Sequence, residues 1–138
     1  MRRMLLLFTL LAALAVGVAG CGSDSESSDE ATTEESSSTA EALEQVAAIP
    51  GLLDEAVTTY KSGDHDAAAD AVGDINLEHY EDVEGPLGER NHDLMEEIEE
   101  QISTELRQAM ETGKPDAEVE SLVAEIKTNL EQAERELG

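Results

Sequence analysis

Four stretches of the chain repeat apolar residues at every third or fourth position, the spacing that lines one face of an α-helix. In the first, Val46, Ile49, Leu53, Val57 and Tyr60 share a face, and Ser38-x-x-Glu41 ahead of them has the spacing of a capping box. Pro50 and Gly51 interrupt this stretch and predict a kink or a short break. Gly63 closes it, and Asp64 is placed to cap the next. The second stretch buries Ala68, Val72, Ile75 and Val83, with Gly85-Pro86 as its expected end. Leu94, Ile98, Ile102, Leu106 and Met110 stripe the third, which starts near Asn91 and stops at Gly113. Pro115 and Asp116 open the fourth, whose inner face is Val119, Leu122, Val123, Ile126, Leu130, Ala133 and Leu137. Helices of this length joined by short loops pack best as antiparallel neighbours. The expected fold is all-α, an antiparallel up-and-down four-helix bundle over residues 40–138.

Ahead of the first helical stretch the pattern changes twice. Arg2 and Arg3 precede Met4 to Val16, which is apolar except for Thr9, and small residues then lead into Cys21. A charged start, a short apolar core and a small-residue exit predict a secretory signal peptide over residues 1–20. A single membrane span is the alternative, but it needs about 20 apolar residues and this run is shorter. An ordinary cleaved signal with its cut near Ala19 is another. Val18-Ala19-Gly20-Cys21 resembles the lipobox of bacterial lipoproteins. That resemblance implies that the Cys21 thiol is lipidated and that Cys21 becomes the mature first residue. From Gly22 to Thr39 the chain is Ser, Thr, Asp and Glu with six acids and no base, which predicts a disordered acidic tether over residues 21–39.

Composition narrows the function classes. Two of the eight Lys and Arg residues lie in the signal and all 33 acids follow Cys21, so the chain from Cys21 onward carries a formal charge of −27. Such a surface repels phosphate backbones and attracts cations, and no nucleic-acid partner is expected. Cys21 is the sole cysteine, so its lipidation would exclude disulfides, zinc–thiolate sites and cysteine catalysis. With no Trp, and no Phe after the signal, the core must be built from Leu, Ile, Val, Met, Ala and two tyrosines. That set suits helices better than sheets.

The candidate chemistry sits at the end of the second stretch. Glu81 and Glu84 are one helical turn apart, and His79 falls on the side of Val72, Ile75 and Val83 at 100° per residue. Two carboxylates with an imidazole nearby form a candidate site for a hard or borderline cation such as iron. The plainer reading is a solvated acidic face beside a core-edge histidine. Glu96, Glu97, Glu99 and Glu100 splay around the third helix and read as solvated surface. His92 stands four residues before Glu96, a second possible pair, and His65 lies in a turn where exposure is expected. Ser103 and Ser121 have no local base and there is no Gly-rich phosphate loop, so no enzyme is expected.

The residues from Tyr60-x-x-Gly63-Asp64 through His79-Tyr80-Glu81-x-x-Glu84-Gly85-Pro86-Leu87 resemble the extracytoplasmic helical domain of Ftr-type bacterial ferric-iron permeases. The resemblance covers most of residues 55–137. It implies an accessory module in iron uptake, since the permease helices and their Arg-Glu-x-x-Glu motifs are missing here. The first expectation is therefore a lipoprotein on the extracytoplasmic face of the cell membrane, lipid-anchored at Cys21. It would bind iron weakly through His79, Glu81 and Glu84 beside an iron permease. The alternative is a structural or protein-interaction lipoprotein with no metal role.

Overall fold

The computed structural model describes residues 30–138, with side chains described from Ser38 onward. The signal over residues 1–20, the anchor at Cys21 and most of the tether lie outside the described residues. Within them the chain forms four long helices and no strand. The first is α1, Glu30–Lys61. The second runs through α2, His65–Ile75, a π-helical segment π1, Asn76–Tyr80, and α3, Glu81–Arg90. The third is assembled likewise from α4, His92–Glu100, π2, Gln101–Leu106, and α5, Arg107–Glu111. The fourth is α6, Asp116–Leu137.

Most helix ends follow from local chemistry. The Asp64 carboxylate accepts from the Ala67 N–H at 3.2 Å, and the Asn91 side chain does the same for Leu94 at 3.2 Å, so each N-cap satisfies a free backbone donor. Gly63 (φ 96°) and Gly113 (φ 66°) take the left-handed turn that ends the first and third helices.

Three expected boundaries move. Ser38 lies inside α1, which begins at Glu30, so Ser38-x-x-Glu41 is not a helix start and residues 30–39 are helical rather than part of the tether. Once a helix is nucleated, each further residue adds a hydrogen bond, and Ser, Thr and Glu extend it without needing a core partner. Pro50 leaves α1 unbroken. Gly85 and Pro86 also sit inside a helix, which continues to Arg90 because Val83 and Leu87 on either side of them are fully buried. Packing outweighs the lost hydrogen bond.

The core is one cluster drawn from all four helices, including Leu53, Val72, Ile98 and Ile126. The first helix packs on the second and the fourth, the second also packs on the third, and the third packs on the fourth. Polar links cross these seams: Gln45 to His79, Lys127 to Asp54 at 2.6 Å, and Asn129 to Gln101 at 3.0 Å. No helix among the described residues is long and apolar enough to cross a membrane.

The π segments are the departure from regular geometry. In π1 the Glu81 N–H reaches back five residues to the Asn76 carbonyl, so one turn holds an extra residue. Ile75 and Tyr80 are both buried although five positions apart. In the third helix the apolar residues recur strictly every fourth position, which on a regular α-helix would carry the stripe about 160° around the axis between Leu94 and Met110. The wider turn of π2 takes up that drift, and all five residues stay buried.

Candidate functional site

The second helix lies between the first and the third at the level of π1, and its polar residues divide between those two neighbours. His79 turns to the first helix. Its Nδ1 is 2.7 Å from Gln45 Oε1, and Gln45 Nε2 donates to Asp82 Oδ2 at 3.3 Å. Because the glutamine oxygen only accepts, His79 donates through Nδ1–H. His79 is half-buried at the wall of a groove rather than in the core.

Tyr80 takes the core place instead. It is fully buried, and its hydroxyl donates to the Met95 carbonyl of the third helix at 2.7 Å. Burial raises the phenol's pKa far above its ordinary value of 10.0, and the nearby Glu84 and Glu99 carboxylates raise it further. On a regular α-helix His79 would stand about 20° from Val72 and Tyr80 about 80° away. The extra residue of π1 reverses their roles.

Glu84 turns to the third helix. Burial pushes its carboxyl above the usual range, and Glu99 and Glu81 add to the rise. Glu81 and Glu84 are thus brought together as their spacing implies, with Glu99 as a third carboxylate nearby. His79 is not with them: it faces the opposite neighbour. Among the described residues no group of three or more His, Cys, Asp or Glu has the geometry to hold a metal ion. His79 and the Glu81–Glu84 pair thus face different neighbouring helices.

The other histidines are placed differently from one another. His92 and Glu96 meet at 3.3 Å on the surface, with both side chains well exposed, as their spacing of four residues predicts. His65 is not the exposed turn residue expected. It opens α2, half-buried, and stacks on Tyr60 with ring centroids 4.3 Å apart. Gly113 fits against that ring so closely that a Cβ there would lie 3.3 Å from His65 Nδ1. The Tyr60 hydroxyl donates to the Lys114 carbonyl, which ties the first helix to the loop before the fourth.

Sequence reasoning missed Gln45, Tyr80 and Glu99. Gln45 carries no motif, and Glu99 stands in an acidic run whose members look alike on paper. The one legible signal was the five-residue gap between Ile75 and Tyr80. A further feature is a groove of about 270 Å³ between the first and second helices, with Leu52, Ala56, Ala71 and Ile75 along it and Glu55, Asp74 and Glu78 at its edges. No protein-family model, curated protein or solved structure matches the chain.

Proposed function

We propose that this chain is a lipid-anchored, extracytoplasmic helical module that works by binding another protein. The four helices are read as an antiparallel up-and-down bundle. The links from Asp54 to Lys127 and from Lys61 to Glu120 support this, because they ascend one helix as they descend the other. Gln45 to His79 joins the first and second helices, Tyr80 to Met95 the second and third, and Gln101 to Asn129 the third and fourth. The observation that carries the binding role is the groove between the first and second helices, which combines apolar side chains with carboxylates that have no ion-pair partner among the described residues. Cys21 would hold the module at the membrane, since each buried acyl methylene contributes about 0.8 kcal/mol and two or three chains make the anchor nearly permanent. Fractionation of cells carrying Cys21→Ser tests the anchor: the variant should leave the mature membrane-bound pool. A processed variant that still sediments with membranes contradicts it.

A second reading keeps the role in iron uptake beside an iron permease. What favours it is the raised Glu84 carboxyl, which sits among carboxylates where a bound cation would relieve the repulsion. His79 is left out of that version, and Glu99 replaces it. Calorimetry with ferric and ferrous iron in high salt separates the readings. The interaction module predicts no saturable binding. Saturable binding that disappears in a Glu81→Gln/Glu84→Gln variant would establish the iron reading in its place.

A further inference from the structure

Three grooves among the described residues handle their charges differently. In the groove between the first and fourth helices, Lys61 pairs with Glu120 and Lys127 with Asp54. In the groove between the third and fourth, Lys114 pairs with Glu118 at 2.9 Å. The first of these grooves is neutral overall, and the second keeps one excess carboxylate, Glu105. The groove between the first and second helices contains no Lys or Arg, and its one histidine, His79, is hydrogen-bonded to Gln45. Glu55 stands on one wall and Asp74 and Glu78 on the other, and none of the three carboxylates has an ion-pair partner among the described residues.

Its apolar surface is also incompletely covered. Ala56 is buried beneath the groove, while Leu52 and Ala71 are only half-buried and small side chains keep the backbones accessible. Leu77 stands on the same helix as Ala71, outside the groove's lining. Leu77 is 67% exposed, the exposed large hydrophobic residue of the described chain. An apolar trough with acidic walls is the complement of a helix that carries an apolar stripe flanked by Lys and Arg.

We infer that the groove between the first and second helices docks a basic amphipathic helix of a partner protein. This rests on the reading of the chain as an interaction module and names its surface and the chemistry of its partner. The partner's stripe lies along Leu52, Ala71 and Ile75, and its flanking cations meet Glu55, Asp74 and Glu78. At about 270 Å³ and open to solvent the groove is smaller than most small-molecule sites, which run from about 300 to 1,000 Å³. An anionic membrane surface is repelled by the same walls that attract the helix.

The test uses the chain from Cys21 onward, carrying Cys21→Ser to keep it in solution, and an idealised amphipathic Leu–Lys helical peptide at physiological salt. Saturable one-to-one binding is expected. A scrambled peptide of equal charge should bind at least about tenfold more weakly, because it has no continuous stripe. Asp74→Lys/Glu78→Lys should lower affinity by about tenfold or more, while Glu131→Lys/Glu134→Lys on the fourth helix makes the same charge change and should leave it nearly unchanged. Circular dichroism of both variants shows that each is folded. Equal losses in the two variants, or equal binding of the scrambled peptide, would mean diffuse charge attraction and overturn the proposal. Tight binding that maps to another face by amide chemical shifts would overturn the groove and leave the interaction module standing. No saturable binding of the peptide would overturn the groove's specificity for basic helices.

Discussion

The first and fourth helices differ from the second and third in how faithfully they keep the α-helical period. In α6 every buried residue from Val119 to Leu137 falls within about 40° of the Val119 direction, and in α1 the buried set from Ala42 to Tyr60 is as narrow. The second and third helices each contain a π turn, and on a regular helical wheel their buried residues would spread over about 140° and about 180°. The candidate chemistry and the open groove both belong to the irregular second helix. An inserted residue has no stabilising role in a regular helix, and its cost is tolerated where it re-aims side chains: here it buries Tyr80 and moves His79 to Gln45.

The largest effects should come from the shared core and should not distinguish the two classes of helix. Ile126→Ala in the regular fourth helix and Ile98→Ala in the third each remove a fully buried side chain and should cost about 2–5 kcal/mol in denaturant unfolding. A variant of either with unaltered stability would show that its side chain does not fill the core.

A smaller effect isolates the seam between the second and third helices. The folded carboxyl of Glu84 is raised, so the folded state favours its protonated form. The stabilisation from that proton is fully present below the unfolded carboxylate range and is lost as pH rises through the raised folded value. Ionised Glu84 is therefore unfavourable at neutral pH. Glu84→Gln should raise the melting temperature at pH 7 and leave it nearly unchanged at pH 3–4, where both side chains are neutral. Thermal melts across this range check it, and a variant less stable at pH 7 would contradict the assigned direction.

The regular parts were legible because a 3.6-residue period maps sequence directly onto direction. Every residue expected on the inner face of α6 is buried or packed against the core, and the caps at Asp64 and Asn91 and the ends at Gly63 and Gly113 were visible as residue types. What failed shares one cause. Gly85-Pro86 reads as a terminator locally, but burial of Val83 and Leu87 holds the helix together through it. His79 reads as the core-side residue of its turn only if no residue is inserted between Ile75 and Tyr80, and Tyr80 takes that place. Glu99 is distinguished from Glu96, Glu97 and Glu100 by facing Glu84 across a tertiary contact, which no window along the sequence contains.

The central claim is that π1 accommodates one residue more than a regular helix needs. Single-residue deletion tests it directly. Removing Leu77, which lies within π1 and is exposed, should let the second helix close to α-helical geometry while Ile75 and Tyr80 both stay in the core. Removing Ala124, exposed in α6, should rotate Ile126, Leu130, Ala133 and Leu137 by about 100° out of the core. Denaturant unfolding of the two deletions should show a cooperative transition for the first and none for the second. If the Leu77 deletion is as disruptive as the Ala124 deletion, the extra residue is not spare and the account of the second helix is wrong.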